Sequence, residues 1–213
     1  MPANAWLQLG LHLLALLALA RPLGAYIARV LAGRPTASGR LWAPLERRFY
    51  RLAGVDPEVE TGWRPYAVAM LVFNTAGLLL VYALERLQAR LPFNPQHLAG
   101  VEPGLAFNTA VSFATNTNWQ SYAGESTLSA LTQMAALGVQ NFLSAATGIA
   151  ILAALVRGLT RGPAATVGNF WVDVTRATLH VLLPLALVLA LALVSQGVVQ
   201  TFRAPVHAAL LQP

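Results

Sequence analysis

The sequence lacks cysteine and lysine and is poor in acidic residues. Of its 213 residues, 56% are hydrophobic and only 10% are charged, and all 14 basic residues are arginine. The absence of cysteine excludes a disulfide framework and a thiolate metal site. A soluble domain carries about 25% charged residues, so the low charge content indicates a membrane protein.

Four long windows contain no charged residue at all. They are Ala3 to Ala20, Pro65 to Leu84, Leu128 to Val156 and Ala177 to Phe202. At about 1.5 Å per helical residue, each can cross a hydrocarbon core of about 30 Å, with modest thinning of the bilayer at the first. The sequence therefore predicts an all-α polytopic membrane protein. No basic residue precedes the first window, which favours an uncleaved N-terminal span over a signal peptide.

The arginines cluster beside these windows. Eleven of the fourteen lie in two blocks, one from Arg21 to Arg64 and one from Arg157 to Arg176, whereas Arg86, Arg90 and Arg203 lie outside them. By the positive-inside rule both blocks are cytoplasmic, which predicts an external N-terminus and an external segment 91–127. The same clustering argues against nucleic-acid binding as the reason for the net charge of +6.

These patterns divide the chain into successive segments. Segment 1–33 is predicted to be an N-terminal transmembrane helix, and 34–64 a cytoplasmic linker that is either an amphipathic segment at the interface or an ordered loop. Segment 65–156 forms a helix–loop–helix repeat, and 157–176 is a second cytoplasmic loop. Segment 177–213 opens with another transmembrane helix.

A polar strip runs along the second helix of this repeat. Gln133, Gln140 and Ser144 fall near one helical face, and Asn141 is adjacent. Such a face is too polar for lipid. It predicts either a protein partner or a water-filled cavity.

The stretch "PGLAFNTAVSFA", residues 103–114, predicts a short helix between the second and third windows. Pro103 suits a first helical turn, and Glu102 suits the positive N-terminal end. Twelve residues reach only about 18 Å, so this helix is too short to cross the membrane. Its apolar side predicts that it enters the membrane and turns back, as a re-entrant loop over about 103–125.

The polar ribbon "FATNTNWQSYAGE", residues 113–125, follows this helix. Non-helical backbone is tolerated at membrane depth only where it lines an aqueous or protein-enclosed cavity. The helix directs its partly negative C-terminal end at the ribbon, and free carbonyls can replace the water shell of a cation. The alternative is a loop lying flat on the outer surface. The predicted cation ligands are the backbone oxygens of Thr115, Asn116, Thr117 and Asn118, with the hydroxyl of Thr117.

Neighbouring residues are predicted to support this site. Asn116 and Asn118 suit unusual backbone angles, which Asn adopts more readily than most non-glycine residues. Trp119 and Tyr122 either pack behind the ribbon or anchor at the headgroups. Gln120 either hydrogen-bonds the ribbon or faces the entryway.

The run "NTAVSFATNTNWQSYAGESTLS", residues 108–129, closely resembles the first pore-loop signature of the KdpA family, the potassium-binding subunits of bacterial Kdp potassium-transporting ATPases. The resemblance extends over essentially the whole chain. It includes "LARPLG" (19–24), "FNPQ" (93–96), "VQNFLSAATGIA" (139–150) and "GNFWVD" (168–173).

This resemblance implies a fold and a function. The family is related to potassium channels and to the Trk, Ktr and HKT transporters, and it has a pseudo-fourfold arrangement of helix–pore loop–helix units around a selectivity filter. The implied role is to bind extracellular potassium ions in the bacterial plasma membrane for high-affinity import. A separate P-type ATPase subunit hydrolyses ATP, and two small subunits complete the complex. The family's first filter segment corresponds to Thr115, Asn116, Thr117, Asn118, Trp119 and Gln120.

Length is the main departure from the family, which needs four pore loops where this sequence holds one. The chain is therefore expected to be a fragment or an incomplete gene product. Two alternatives to the filter subunit stay open: a non-conducting structural membrane subunit, and a homotetrameric cation channel. An enzyme is disfavoured, because no two of the histidines have metal-ligand or triad spacing. These are His12, His97, His180 and His207.

Overall fold

The computed structural model describes residues 3–162, 165–199 and 201–202. Arg203, His207 and the rest of segment 177–213 beyond these residues lie outside this description. Within it the chain is all-α, and 4 helices are long and apolar enough to cross a membrane. The predicted fold class is confirmed.

The described residues form eight α-helices. They are α1 (Ala3–Leu31), α2 (Ala37–Ala53), α3 (Trp63–Leu87), α4 (Pro103–Ala114), α5 (Gly124–Thr127), α6 (Val139–Thr160), α7 (Phe170–Arg176) and α8 (Leu183–Ser195). A 3₁₀ turn extends α3, and π-helical turns precede α6 and join α7 to α8; these turns are Gln88–Arg90, Thr132–Gly138 and Ala177–Leu182. The four span-length helices are Asn4–Leu31, Trp63–Arg90, Thr132–Thr160 and Phe170–Ser195.

The fourth span begins earlier than its apolar window suggests. It starts at Phe170 rather than Ala177, because the side chain of Asn169 caps the N–H of Trp171 at 3.1 Å and the charge of Asp173 is paired. It ends at Ser195 rather than Phe202, since Gly197 takes a positive φ of 89° that does not continue a helix. Hydropathy alone therefore places the start and the end of this helix too far toward the C-terminus.

The linker after α1 forms the amphipathic helix α2. The hydroxyl of Thr36 caps its start by accepting from the N–H of Gly39 at 3.1 Å, and Gly54 ends it with a left-handed φ of 65°. Tyr50 is buried on the inner side. An apolar stripe lies exposed on the other side, made of Leu41, Leu45, Phe49 and Leu52. The linker therefore contains an amphipathic helix, and its location at the membrane interface stays a prediction.

Two connecting segments meet at one end of the bundle. The N–H of Thr61 donates to the carbonyl of Gly168 at 2.7 Å, and the N–H of Val167 donates to the carbonyl of Thr61 at 2.9 Å. This pairing joins the segment before α3 to the segment before α7. Both arginine blocks therefore share one end, here called the linker end, and α3 carries the chain to the opposite, loop end.

A buried ion pair holds the linker end together. The guanidinium of Arg157 binds both carboxylate oxygens of Asp173, at 2.5 and 2.8 Å, and also donates to the carbonyl of Leu31. The hydroxyl of Tyr66 donates to Asp173 at 3.0 Å. Gly168 has φ 116°, and a Cβ there would overlap Arg157. The "GNFWVD" motif thus supplies the carboxylate of Asp173 and, at Gly168, the space that the guanidinium of Arg157 occupies.

Pro184 is accommodated by the turn that precedes α8. Proline has no N–H to donate to the carbonyl four residues earlier, which is that of His180. The hydroxyl of Tyr26 on α1 donates to this carbonyl instead, at 2.6 Å. A neighbouring helix therefore satisfies the freed backbone group, as intramembrane prolines require.

Each end of the bundle has its own apolar core. The loop-end core is made of Val81, Val101, Ala106, Ala110, Phe113, Leu128, Ala136 and Leu137. The linker-end core is made of Tyr66, Ala146, Ala150, Phe170, Val174 and Ala177. Because α4 contributes three residues to the first core, the short helix is fixed against α3 and α6.

Candidate cation-binding site

The short helix α4 has the bounds predicted from sequence, Pro103–Ala114. Glu102 caps it: carboxylate oxygen Oε2 accepts from the N–H of Leu105 at 2.9 Å, and Pro103 occupies the first turn. Hydrogen bonds from the backbone of Gly104 and Leu105 lower the pKa of Glu102. The capped helix starts at the loop end and directs its C-terminus at the polar ribbon, residues 113–125.

The backbone N–H groups of residues 115–119 all donate hydrogen bonds to the last turn of α4. The N–H groups of Thr117 and Asn118 both donate to the carbonyl of Ser112, at 2.9 and 3.2 Å. Those of Thr115 and Asn116 donate to the carbonyls of residues 111 and 113. The hydroxyl of Ser112 accepts from the N–H of Trp119 at 2.6 Å. The end of α4 therefore satisfies a consecutive series of donors.

The carbonyl oxygens of the same residues have no such partner. Among the described residues, none of the carbonyls of Thr115 to Asn118 accepts a hydrogen bond from the protein. These residues are also exposed. A backbone carbonyl oxygen needs a partner, which is a hydrogen-bond donor or a cation. Because these oxygens have no donor from the protein, they are available to water or to a cation. The N–H groups of residues 115–119 are not available to an anion, because the end of α4 already accepts from them.

Two asparagines produce the backbone path that separates donors from acceptors. Asn116 has φ 60° and Asn118 has φ 58°, both in the left-handed region, which confirms the prediction of unusual angles. The side-chain oxygen Oδ1 of Asn116 accepts from the hydroxyl of Ser144 on α6 at 3.1 Å. The turn at residues 115–118 thus obtains its shape without glycine, and α6 stabilises it.

The hydroxyls of Thr115 and Thr117 lie together. Their Oγ1 atoms are 3.1 Å apart, and that of Thr115 also donates to the carbonyl of Val111 at 2.9 Å. Both threonines line an open cavity of about 440 Å³ beside α4, together with Phe107 and Trp119. The Thr117 hydroxyl is therefore accessible from the same side as its exposed backbone.

The three predicted supporting residues have different surroundings. Tyr122 packs against the loop-end core, and its hydroxyl lies 3.1 Å from the hydroxyl of Thr109 and 3.0 Å from carboxylate oxygen Oε1 of Glu85. Trp119 is 55% exposed. Gln120 is partly buried, and its amide nitrogen is enclosed by protein. Of these three residues, Tyr122 is the one that packs against the loop-end core of the described chain.

The polar strip on the third span packs mostly against protein. Gln140 and Ser144 are buried, and Gln140 presses on Gly77 of α3 so closely that a Cβ there would lie 2.5 Å from its amide oxygen. The amide of Gln133 donates to the carbonyl of Leu128 at 3.0 Å. Asn141, the adjacent member, is exposed. Gln140 and Ser144 thus contact other segments of the same chain, namely α3 and the ribbon.

Two residues near the site were not predicted from the sequence. Glu85 and Gln88 are fully buried at the end of α3. The amide of Gln88 donates to the carbonyls of Ala99 and Thr127, at 2.6 and 2.8 Å, and accepts from the N–H of Ser129 at 3.0 Å. Gln88 thus clamps the segments on both sides of α4. A spacing of three residues, which places Glu85 and Gln88 on one helical face, was the available signal.

The sequence is similar to known proteins of one family. Residues 10–213 match the family model described as "KdpA: Potassium-transporting ATPase A subunit". A protein of Sorangium cellulosum is 60% identical over 212 residues, which cover 100% of this chain and 37% of the relative. One of Bordetella pertussis is 63% identical over 202 residues, covering 95% of this chain and 34% of the relative. Both relatives are named potassium-transporting ATPase potassium-binding subunit, and the chain spans about a third of their length.

Proposed function

The chain belongs to the KdpA family of potassium-transporting ATPase A subunits, and from this premise we propose that it supplies one segment of a potassium selectivity filter. Backbone oxygens of Thr115 to Asn118 bind the ion, with the hydroxyl of Thr117 as a further ligand. Trp119 and Gln120 line the entry, and Tyr122 supports the ribbon. The whole protein takes up extracellular potassium.

One observation carries this proposal, the separation of donors from acceptors in the ribbon. The N–H groups of residues 115–119 are bound by the end of α4, whereas the carbonyls of residues 115–118 have no partner among the described residues. Such carbonyls can replace the hydration shell of potassium. The negative C-terminal end of α4 adds to the attraction for a cation.

The membrane arrangement follows from the same proposal. Residues 34–64 and 157–176 are cytoplasmic, the N-terminus is external, and residues 103–125 re-enter the bacterial inner membrane from outside. The shared position of both arginine blocks at the linker end supports this orientation. The helix–pore loop–helix repeat covers residues 65–156, and the next repeat opens within 177–213.

Transport by this family requires partners, which we propose by resemblance. ATP hydrolysis belongs to a separate P-type ATPase subunit, and two small subunits complete the assembly. The relatives' name, potassium-binding subunit of a potassium-transporting ATPase, supports such a division of work. The chain's own contribution is then non-catalytic, and potassium is the transported ion rather than a resident cofactor.

The backbone of Asn116 offers a direct test in the full-length subunit within its complex. Asn116→Gly retains access to positive φ, whereas Asn116→Pro forces φ to about −65° and removes the N–H that binds the end of α4. We expect the glycine variant to support growth at low potassium and the proline variant to fail. If both variants assemble and the proline variant takes up potassium normally, the proposal that backbone carbonyls form the filter is wrong.

A further inference from the structure

A second polar cavity lies at the linker end, far from the ribbon along α3. It has a volume of about 660 Å³ and lies between the end of α1, the start of α2 and the π-helical turn before α8. Three arginines line it: Arg29, Arg34 and Arg176. Val30, Pro35 and Ala43 supply apolar wall. The proposed filter function uses none of these residues.

The one carboxylate in the cavity lining is already engaged. Oxygen Oε1 of Glu46 lies 3.2 Å from Nε of Arg176, and Oε2 lies 2.9 Å from Nε2 of His180. The hydroxyl of Tyr50 donates to Oε1 at 2.8 Å. This carboxylate therefore balances Arg176, and among the described residues it forms no ion pair with the other two arginines.

The positive charges of Arg29 and Arg34 are not paired with any described carboxylate. Both side chains are exposed. Nε of Arg29 donates to the carbonyl of Ala25 in its own helix at 3.3 Å, which leaves the outer guanidinium nitrogens as donors. The cavity thus carries a net positive charge and presents planar donors of the kind that bind phosphate bidentately.

The apolar surfaces around the cavity indicate its depth. Arg29 lies in the last turn of α1, and no residue of the 18-residue apolar window of α1 is buried. The exposed stripe of α2, from Leu41 to Leu52, lies on the side of α2 opposite Ala43 and Glu46, which line the cavity. An amphipathic helix that follows a membrane span lies in the interface with its apolar side toward the acyl chains. The cavity is therefore at the depth of lipid headgroups.

We propose that this cavity binds the headgroup of an anionic phospholipid, with Arg29 and Arg34 holding its phosphate and its acyl chains lying along the apolar surface of α1. A soluble phosphate compound offers the same charge, but it would leave the exposed apolar surface of α1 uncovered. In the orientation proposed above, the site faces the cytoplasmic leaflet, where a negative surface potential attracts basic segments. The site depends on its own residues and stands whether or not the ribbon binds potassium.

The test uses the full-length protein in its complex, reconstituted into nanodiscs of phosphatidylcholine with or without phosphatidylglycerol. Binding is measured as the phosphatidylglycerol retained in native mass spectrometry and as the shift in thermal midpoint. Two charge-assisted contacts are lost in Arg29→Gln/Arg34→Gln, so we expect at least about tenfold weaker retention. The matched control is Arg47→Gln/Arg48→Gln, which removes equal charge from exposed positions of α2 outside the cavity. It should retain the lipid as the wild type does.

Each other outcome overturns the proposal. Equal loss in both double variants would show diffuse attraction, and no effect of phosphatidylglycerol on the wild type would show that the cavity is not a lipid site. Stabilisation by inorganic phosphate alone would identify a soluble ligand. A photoreactive phosphatidylglycerol on the wild type makes the test independent of variant folding. It should crosslink to peptides containing Arg29 or Arg34, and crosslinks confined to other peptides would contradict the site.

Discussion

The hydroxyl of Ser144 lies 3.1 Å from the side-chain oxygen Oδ1 of Asn116 and joins α6 to the polar ribbon. Asn116 has a left-handed backbone, with φ 60°, which costs free energy in a residue other than glycine. A hydrogen bond from a buried hydroxyl stabilises this conformation. The helix that follows the ribbon thus helps to keep its carbonyls free of protein partners.

We expect Ser144→Ala to weaken potassium binding without preventing assembly. The loss of one hydrogen bond costs about 1 kcal/mol, which corresponds to roughly a fivefold rise in the potassium concentration for half-maximal ATPase activity of the complex. Ser126→Ala is the control, because its exposed hydroxyl at the same end bonds only the carbonyl of Ala123 among described residues. Equal responses of the two variants would show that the Ser144 hydroxyl has no specific effect on potassium binding.

The pairing of Glu85 with Tyr122 predicts an order among substitutions. Glu85→Gln keeps an oxygen that accepts from the Tyr122 hydroxyl, whereas Glu85→Leu removes the acceptor from a fully buried position. An unsatisfied buried polar group costs about 1–3 kcal/mol. The leucine variant should therefore unfold at a lower temperature than the glutamine variant and bind potassium more weakly. A leucine variant as stable as the wild type would show that this bond does not position the ribbon.

The ion cluster around Glu46 predicts a pH dependence of stability. Burial disfavours the charged carboxylate, but hydrogen bonds from His180 and Tyr50 and the charge of Arg176 outweigh it and lower the pKa of Glu46 from 4.5 to about 2. Because the folded pKa is below the unfolded one, this stabilisation is complete above pH 4.5 and is lost as the pH falls toward 2.

The difference in unfolding free energy between wild type and Glu46→Gln should follow this window. Its pH-dependent part amounts to roughly 3 kcal/mol and should shrink steadily below the ordinary pKa of a carboxyl. Denaturant unfolding of the two proteins at a series of pH values measures it. A difference that stays constant down to the acid limit would mean that Glu46 is not stabilised by its partners.

Local chemistry made the short helix and the asparagine angles predictable. Pro103 and Glu102 mark the start of α4, and the apolar run ends where the polar ribbon begins, so its bounds follow from neighbouring residues. The left-handed angles of Asn116 and Asn118 follow from a property of asparagine itself. Both predictions needed only residues close together in the chain.

Long-range pairing made other features unpredictable. The fourth span starts at Phe170 because Asp173 is paired with Arg157 of α6, a contact that a hydropathy window counts as an unpaired charge. Gln88 clamps loops that lie 11 and 39 residues away along the chain. Tyr122 packs against the loop-end core, whereas Trp119 is exposed. Each outcome depends on tertiary contacts that one sequence does not contain.

The proposed orientation predicts opposite labelling of two exposed positions. The sequence has no cysteine, so Glu58→Cys and Ala99→Cys can each be introduced alone in a full-length subunit kept free of other cysteines. An impermeant thiol reagent should label position 99 in intact cells and position 58 only after the inner membrane is opened. Labelling of both positions from the same side would contradict the topology.

Direct location of the bound ion tests whether backbone oxygens of Thr115 to Asn118 hold potassium. Rubidium or thallium can replace potassium in crystals of the full-length subunit within its complex, and their anomalous scattering locates them. We expect an anomalous peak in direct contact with carbonyl oxygens of these residues. An ordered ribbon with the ion held elsewhere, and no oxygen of residues 115–118 in contact with it, would show that the ribbon is not the potassium site.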